Sequence, residues 1–450
     1  MKLISIIKTR LKKMPIPRIM LLGFGIVIFT GGVLLSLPIS SASGETTPFI
    51  DALFTATSAV AVTGQVIYNT AEHWNYFGKT VIITLIQIGG LGFMTVLVLL
   101  MFFVGKKLNI KQRRVVQDSL NIESVSEASK LVWYVVKFSL ITEGIGALIL
   151  SIDFIPRFGI LKGIYFSIFH AVSAFCNAGF DLLGDSLYQY QENPIVMLTV
   201  AFLIIAGGLG FIVWRDLLTY KKNKKLLIHT KFVLITTIGL LVTSTVLFAI
   251  SEFDHGTFAH LSTPYQWMNY FFLAVTPRTA GYVNIDYRVV SQFGVFLTII
   301  LMFIGGASGS TAGGVKITTI SVLGLYMVNL LRGRETVFNH RTISTEKVRK
   351  SVQSILIGLF LVTVSTMILL LTETIPQGFG VEYILMEVFS CFGTVGITMG
   401  LTPNLTAIGK IVLMLLMYFG RTGLLTVFWS LNSNPKEENI RYPEADIMVA

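Results

Sequence analysis

The sequence predicts an all-α integral membrane protein in which four tandem span–pore loop–span repeats surround one central, pseudo-fourfold pore. Charged residues make up 13% of the 450 residues, whereas soluble domains carry about 25%. The mean hydropathy is +0.73, and several charge-free stretches are long enough to cross ~30 Å of hydrocarbon. A soluble protein with buried core helices would need far more polar surface, so the composition argues against that class. The charge-free stretches are 19–44, 80–104, 193–214, 232–251 and 351–372.

The first apolar run resembles a signal peptide, but its length favours a retained span. Basic residues precede the run 19–38, and small residues follow it at 40–44. Signal peptides have an apolar core of only about 7–15 residues. We therefore predict that this run is the first transmembrane helix. The basic residues before it are Lys2, Lys8, Arg10, Lys12, Lys13 and Arg18.

The net charge of +11 indicates topology rather than a nucleic-acid partner. Most basic residues lie in short segments that flank the apolar runs, and such segments are typically cytoplasmic. This places the N- and C-termini, and every connection between repeats, in the cytoplasm. Attraction to anionic membrane lipid is a second interpretation of the same charges. The basic segments are 1–18, 105–130, 215–231, 332–350 and 432–450.

The polar residues give no sign of an enzyme. Cys176 and Cys391 are too few for a disulfide framework and are predicted to be small buried packing residues. The six histidines show no metal-ligand spacing, and neither a P-loop nor an HExxH motif is present. We therefore expect no enzymatic activity and no cofactor in this chain.

Four semi-apolar stretches have the same pattern, about three helical turns followed by a glycine-containing extended end. Their glycines are Gly64, Gly179, Gly281 and Gly396, at separations of 115, 102 and 115 residues. Six residues earlier stand Ser58, Ser173, Val275 and Ser390. A fixed period indicates repeated architecture. The stretches are 51–65, 167–181, 268–282 and 383–397.

A second glycine cluster follows each of these stretches, at 89–93, 207–211, 305–309 and 419–423. Such clusters often only let membrane helices pack closely, but four at matching offsets favour a repeated unit. The predicted boundaries are 1–110, 111–225, 226–340 and 341–435, followed by a cytoplasmic tail at 436–450. All four repeats have the same orientation, unlike the inverted repeats of many secondary transporters.

The four glycine-containing loops are predicted to form one ion-binding site. Extended backbone is tolerated at membrane depth only where it is buried or lines water. A ring of backbone carbonyls can replace the water of a monovalent cation, and glycine adopts the required φ/ψ values at least steric cost. The loops carry no acidic ring, and the charged residue nearby, Arg278, is expected to pair with an acidic group or to face the outer vestibule. The predicted site residues are Val62, Thr63, Gly64, Asn177, Ala178, Gly179, Thr279, Ala280, Gly281, Thr394, Val395 and Gly396.

The inner segment of the third repeat departs from the others. Residues 289–331 contain one charge, Lys316, and are too many for one straight span. Their middle part, 307–314, consists of small residues that are poor helix formers. We therefore predict two half-helices joined by a loop that lies below the four glycines.

The motifs resemble a known family, the Trk/Ktr/HKT superfamily of potassium transporters. Within it, the chain is most similar to the membrane subunit of bacterial Ktr potassium uptake systems, of the KtrB and KtrD type. The resemblance covers essentially the whole chain. It is carried by VTG at 62–64, NAGF at 177–180, TPRTAG at 276–281, GGASGSTAGGVK at 305–316 and FGTVGITMGLTP at 392–403.

The resemblance implies potassium uptake across the bacterial plasma membrane. The four glycines would be selectivity-filter glycines, and glycine rather than serine at Gly64 points to the potassium-selective branch. Potassium would be the only metal ion, bound at the filter as the transported ion. The resemblance leaves open whether sodium is co-transported or only stimulates transport.

The resemblance also implies an intramembrane gate. For Arg421 two interpretations stay open: a buried pair with Glu143 or Glu387, or a fixed positive charge in the pore that limits ion flow. Lys316 is expected either to pack against the gating loop or to cap a half-helix. The gate residues are Ala307, Ser308, Gly309, Ser310, Thr311, Ala312, Gly313, Gly314, Lys316 and Arg421.

Two partners are implied in the same way. Members of the family are homodimers with one pore per chain, and a separate cytosolic ring of nucleotide-binding RCK-type subunits docks on Ktr membrane subunits. Because this chain has no GxGxxG motif after a strand-like run, any nucleotide is expected on the ring. Two rival functions remain: a secondary transporter with alternating access, and a non-conducting scaffold for other membrane proteins.

Overall fold

The computed structural model describes residues 16–92, 95 and 128–423. Within them the chain is helical apart from connecting loops and one antiparallel hairpin of β1 (Val337–Phe338) and β2 (Arg341–Thr342). The predicted all-α fold is confirmed. The basic residues before 16, the segment 105–127 and the predicted tail at 436–450 lie outside the described residues.

The helices are numbered in chain order over the described residues. Single turns of 3-10 helix occur at Pro38–Ser40, Tyr188–Tyr190 and Thr402–Asn404. The α-helices are α1 (Ile16–Ser36), α2 (Phe49–Val60), α3 (Thr70–His73), α4 (Tyr76–Leu91), α5 (Ala128–Phe158), α6 (Ile160–Phe175), α7 (Pro194–Leu209), α8 (Phe211–Asn223), α9 (Ile228–His255), α10 (Thr263–Val275), α11 (Gln292–Phe303), α12 (Ile317–Leu331), α13 (Thr345–Thr372), α14 (Glu382–Gly393) and α15 (Ala407–Thr422).

Four outer helices, α1, α5, α9 and α13, are long and apolar enough to cross a bilayer. Their sequences are rich in Leu, Ile and Val, and they expose large apolar side chains, such as Leu148 (71%) and Leu371 (88%). Exposed apolar surface of this extent marks contact with lipid or a partner rather than with water. The chain is therefore a multi-pass membrane protein.

Each outer helix is followed by a shorter, largely buried helix that we call a pore helix: α2, α6, α10 and α14. These have 12, 16, 13 and 12 residues, too few to cross ~30 Å of hydrocarbon. They coincide with the four predicted semi-apolar stretches. All four helices begin before the predicted stretches, the second furthest, because Gly159, with φ 81°, reverses the chain directly after α5.

The inner helices α4, α7, α11 and α15 all begin at a polar cap. Each cap side chain accepts the backbone N–H three residues further on, at 3.0, 3.2, 3.0 and 3.1 Å. Such caps contribute about 1 kcal/mol each and fix where an inner helix starts. The caps are Asn75, Asn193, Ser291 and Thr406.

In three of the four units an acidic residue at the end of the outer helix holds this cap. The hydrogen bonds measure 2.7, 2.5 and 2.5 Å. In the first unit, Asn75 instead donates to the carbonyl of Ile39 at 2.7 Å. This anchor, which was not predicted from the sequence, sets the separation of outer and inner helices. The pairs are Asp153 with Asn193, Glu252 with Ser291 and Glu373 with Thr406.

Within the described residues the inner helices all end at their glycine clusters, whereas a break was predicted only in the third. The helices α4, α7 and α15 end directly before Gly92, Gly210 and Gly423, whose φ values are 83°, 92° and 87°. A positive φ cannot continue a right-handed helix, and glycine adopts it without a Cβ clash. At Gly210 the chain turns by 96° into α8.

The third inner segment has the predicted broken form. The helix α11 ends at Phe303 and α12 begins at Ile317, and residues 304–316 form a loop between them. The repeat boundaries themselves stay predictions, because the connection after the first unit lies outside the described residues.

The last inner helix packs against the first pore helix, so the first and fourth units are in contact. Lys410 Nζ on α15 lies 2.6 Å from Asp51 Oδ1 on α2. The hydroxyl of Tyr68 donates to the other carboxylate oxygen at 2.7 Å. Both charged side chains are largely buried, with 14% and 8% exposure. This ion pair fastens the first unit to the fourth.

Candidate ion site and the loop beneath it

The chain leaves each pore helix through a residue with positive φ. These residues are Val62, Asn177, Thr279 and Thr394, with φ of 53°, 59°, 66° and 52°. Three of them are β-branched, and a β-branched residue with φ above zero is a genuine outlier. Such strain costs about 1–3 kcal/mol per residue and is concentrated at functional sites. All four are among the predicted site residues, but a positive φ at these positions was not predicted from the sequence.

Backbone hydrogen bonds back to the pore helix hold the strained turns. Thr63 N, Ala178 N and Val395 N donate to the carbonyls of the three serines singled out in the sequence, each at 2.8 Å. In the third loop Ala280 N donates to Thr276 O at 3.1 Å, one residue after the predicted Val275. The hydroxyl of Thr276 also donates to Tyr282 O, so it takes the place of the missing serine.

The four loop glycines meet in a closed cycle. A Cβ placed on Gly64 would lie 2.5 Å from Ala178 O and 3.0 Å from the Cα of Gly179. A Cβ on Gly179 would lie 2.7 Å from Ala280 O. The third and fourth glycines complete the cycle, since a Cβ on Gly281 would collide with Val395 O and one on Gly396 with Thr63 O. Each glycine therefore faces a carbonyl oxygen of the next loop.

The structure thus brings all twelve predicted site residues together; eleven of them are buried, and Gly396 is half-buried. We call them the glycine ring. Within the ring, four carbonyl oxygens at equivalent positions each face the glycine of a neighbouring loop. They belong to Thr63, Ala178, Ala280 and Val395. None of the ring residues carries a charge. The site therefore offers neutral oxygen ligands in a ring, which suits a monovalent cation.

Arg278, next to the ring, meets neither expectation. It is 6% exposed, so it does not face an outer vestibule. Across the described residues it forms no ion pair with an acidic side chain, and its Nε lacks a hydrogen-bond partner there. Its backbone carbonyl lies 3.4 Å from the Asn177 amide group.

A buried carboxylate supports the outer ends of two loops. Glu387 on α14 is 0% exposed and accepts from Gln65 Nε2 at 2.5 Å and from Thr398 Oγ1 at 2.7 Å. The hydroxyl of Thr402 donates to it as well. Because Gln65 directly follows Gly64, this carboxylate links the fourth pore helix to the first loop. From the sequence, Glu387 was considered only as a partner of Arg421; the signal for its position here was an acidic residue inside the otherwise uncharged stretch 383–397.

The loop 304–316 is held by the broken inner helix of the second unit. Ala307 N donates to Gly208 O at 2.9 Å and Thr311 N to Gly207 O at 3.2 Å. In the other direction, Phe211 N donates to Gly309 O at 2.9 Å. Backbone groups that the helix break leaves free are satisfied by the loop. Further along, Gly314 N donates to Gly420 O at 3.2 Å.

The same loop lies directly against the glycine ring. Thr311 Oγ1 donates to Phe175 O at 3.1 Å, at the end of the second pore helix. A Cβ on Gly313 would collide with the hydroxyl of Thr394, and one on Gly314 would lie 3.3 Å from the Cα of Gly393. The loop thus contacts the starts of two ring segments. All eight predicted loop residues, 307–314, belong to this contact region and are buried or half-buried.

Two cations are directed at consecutive carbonyls of the loop. The guanidinium of Arg421 donates through Nη1 to Thr311 O and through Nη2 to Gly89 O and, at 2.9 Å, to Gly90 O. Lys316 Nζ donates to Ala312 O at 2.7 Å. Lys316 therefore packs on the loop, as one of its two interpretations held.

The alternative of a buried ion pair for Arg421 is wrong. Glu143 instead accepts from Gln87 Nε2 at 3.0 and 3.3 Å, and Glu387 is satisfied by the side chains described above. With three backbone carbonyls as acceptors, Arg421 keeps its full positive charge next to the loop. A charge held by carbonyl dipoles rather than a carboxylate raises the local potential along any path below the ring.

Comparison with known proteins gives consistent results. Over 450 residues the chain is 51% identical to the potassium/sodium uptake protein NtpJ of Enterococcus hirae, covering 99% of this chain and 100% of that protein. It is 41% identical to the Ktr system potassium uptake protein B of Bacillus subtilis, over 96% of both chains. The crystal structure of the potassium transporter TrkH from Vibrio parahaemolyticus matches with a TM-score of 0.67 at 20% identity, covering 92% of this chain and 85% of that one.

The structural match at this low identity supports the fold alone. The sequence relatives go further, and the family predicted from the motifs is confirmed. The model of the TrkH family, described as cation transport protein, matches residues 24–442. The chain therefore belongs to the TrkH family of cation transport proteins.

Proposed function

We propose that this chain takes up potassium through a selective pore whose narrowest part is the glycine ring. The observation that carries this proposal is the closed cycle of Gly64, Gly179, Gly281 and Gly396, each facing a carbonyl of the next loop. Uncharged carbonyl rings of this kind select monovalent cations by replacing their hydration shell. The names of the relatives, a potassium/sodium uptake protein and a Ktr system potassium uptake protein, support potassium as the ion.

The loop 307–314, with Lys316 and Arg421, is proposed as the gate. It fills the space next to the ring, and its hydrogen bonds are mostly to backbone atoms. Segments with small side chains and few apolar contacts come from the low-stability end of a structure. A ligand or partner that prefers one position of the loop would shift its population.

The assembly is proposed by analogy with Ktr systems. Two copies of the chain, each with its own pore, would sit in the bacterial plasma membrane with both termini in the cytoplasm. A cytosolic ring of RCK-type subunits would carry the nucleotide. Sodium is proposed as either a co-transported or a stimulating ion, since the name of one relative includes it.

Potassium-limited growth tests this function. A bacterium that lacks its own uptake systems should grow at low potassium when it expresses this chain, and more strongly with a cognate ring subunit. Val and Leu variants of Gly281, produced at equal membrane abundance, should not rescue growth, because any side chain there collides with Val395 O. Gly239, whose Cβ position is free, gives the matched control. Growth without any dependence on this chain would favour the scaffold function, and slow saturable flux without channel current would favour alternating access.

A further inference from the structure

The helix α8 lies across the end of the second unit rather than continuing its inner helix. It runs at 96° to α7, which is an apolar helix of the membrane core. Its basic segment, 215–231, is cytoplasmic by the positive-inside rule. A helix that runs across an inner helix, in a segment with this charge, is expected to lie along the inner surface of the membrane.

The orientation of α8 is fixed by polar contacts of two of its side chains, one to α7 and one to the start of α9. Trp214 Nε1 donates to Ala206 O at 2.8 Å, across the bend. Asp216 Oδ2 accepts from Leu227 N at 2.8 Å, at the start of α9. The helix is therefore built into the surface of the protein and does not project freely into the cytoplasm.

The surface around the end of α8 combines lysines with exposed apolar side chains. Lys221, Lys224 and Lys225 are exposed, and Leu218 is 63% exposed and Leu227 54%. An interfacial helix typically has this composition, with apolar groups in the acyl boundary and cations at the headgroups. We call these three lysines the α8 lysine cluster.

The cluster lies at the cytoplasmic end of a surface that faces lipid. Exposed apolar side chains follow one stripe of the spanning helix α9 at helical spacing, with Ile235 61%, Ile238 58% and Val242 57% exposed. The stripe begins at Ile228, three residues after Lys225. Headgroups of lipids that contact this stripe would therefore lie beside the lysines.

We propose that the α8 lysine cluster binds the headgroups of anionic phospholipids and thereby holds the loop 304–316 in the position seen here. The effect on the loop follows from backbone hydrogen bonds on each side of the bend: Phe211 N donates to Gly309 O, and Ala307 N donates to Gly208 O. A shift of α8 away from the membrane surface would strain or break them. This consequence for the loop rests on the proposed gate, whereas lipid binding does not.

A lipid is favoured over a protein partner by two observations. The lysines border apolar side chains that continue into the exposed apolar stripe of α9, and the 96° bend turns α8 across the end of α7 rather than away from it into the cytoplasm. A docking site for a soluble ring would need no such continuity. Each lysine near an anionic surface contributes about a fivefold gain in affinity.

Retention of lipid by the purified protein tests the proposal. The full chain is mixed with phosphatidylglycerol or phosphatidylcholine, and bound lipid is counted by native mass spectrometry. The variant is Lys221→Gln/Lys224→Gln/Lys225→Gln. The control removes the same charge from exposed positions between α12 and α13, as Arg332→Gln/Arg334→Gln/Arg341→Gln. Gel filtration and thermal unfolding check that both are folded.

We expect wild type and control to retain phosphatidylglycerol in preference to phosphatidylcholine. In the lysine variant the ratio of the two retained lipids should fall at least about tenfold. Equal retention by the lysine variant, or equal loss in the control, overturns the proposal. So does loss of ring-subunit binding in the lysine variant with lipid retention unchanged, because the cluster would then bind protein.

Ion flux into vesicles tests the consequence for the loop. Wild type should conduct faster in phosphatidylcholine than in vesicles that also contain phosphatidylglycerol, and the lysine variant should be fast in both. Equal flux of wild type in the two kinds of vesicle overturns the link between lipid binding and the loop. If lipid is retained as expected but no protein conducts potassium, the proposed function fails and the lipid site stands.

Discussion

The guanidinium of Arg421, on the last inner helix, donates a hydrogen bond to the carbonyl oxygen of Thr311 in the loop between α11 and α12. The same side chain holds Gly90 O of the first unit at 2.9 Å. One residue thus joins the first and fourth units to the loop that lies against the glycine ring. Arginine suits this role because its planar fork presents several donors in a fixed geometry.

Replacing Arg421 should therefore release the loop. Arg421→Ala removes three hydrogen bonds and a positive charge, so we expect rubidium uptake to rise severalfold. Uptake by Arg421→Lys should lie between that of wild type and that of Arg421→Ala, because lysine keeps the charge but not the planar fork of donors. Uptake per molecule in vesicles is the measurement, and Arg332→Ala, at an exposed position, is the control. Reduced uptake by folded Arg421→Ala protein would show that the arginine supports the pore rather than restrains it.

Shortening the loop should have a larger effect than changing one of its anchors. Deletion of residues 308–312 removes Thr311 and the carbonyls that Arg421 and Lys316 hold. We expect higher flux with an unchanged preference for potassium over sodium, because the glycine ring is untouched, and less dependence on a cytosolic partner. Potassium and sodium uptake with and without the ring subunit measures this. A drop in flux in folded, inserted protein would make the loop a structural support.

Glu387 should position the outer end of the glycine ring. In Glu387→Gln one of the two acceptor oxygens becomes a donor, so Gln65 or a threonine is left unpaired at a cost of about 1–3 kcal/mol. We expect a lower thermal midpoint and a severalfold weaker preference for potassium over sodium, because Gln65 adjoins Gly64. Glu346→Gln, at the exposed start of α13, is the control. An unchanged ion preference together with lower stability would limit Glu387 to a structural role.

The ion pair of Asp51 and Lys410 should stabilise the closure between the first and fourth units. Removing one partner of a largely buried pair costs about 3–5 kcal/mol, whereas replacing both by neutral groups costs much less. We expect Lys410→Met to lower the thermal midpoint strongly and Asp51→Asn/Lys410→Met to recover part of the loss. Thermal unfolding of wild type, Asp51→Asn, Lys410→Met and the double variant forms a complete double-mutant cycle. Additive effects of the two substitutions would mean that the pair is not coupled.

The sequence predicted those parts of the fold that depend on local pattern. The glycine ring followed from four copies of one motif, and the broken third inner segment followed from the small residues at 307–314. The positive φ of Val62, Thr279 and Thr394 could not be predicted, because β-branched residues avoid that region unless tertiary contacts impose it.

Long-range pairings also escaped prediction. Gln65 meets Glu387 across 322 positions of sequence and Asp51 meets Lys410 across 359, and no periodicity encodes such contacts. The end of each inner helix at its glycine cluster was readable in principle, since each cluster was identified. It was interpreted as close packing or repetition, and the required positive φ at Gly92, Gly210 and Gly423 was not considered.

The ion preference of serine variants in the glycine ring tests the central claim most directly. Gly179→Ser/Gly396→Ser places a side chain at two of the four contacts, where a Cβ meets the facing carbonyl. Gly239→Ser, where nothing lies within 4 Å, is the control. The measurement is the ratio of rubidium to sodium uptake by equal amounts of folded protein in vesicles. The account predicts that the ratio falls at least about tenfold in the double variant and stays unchanged in the control. A wild-type ratio in the double variant would contradict the assignment of the glycine ring as the site of ion selection.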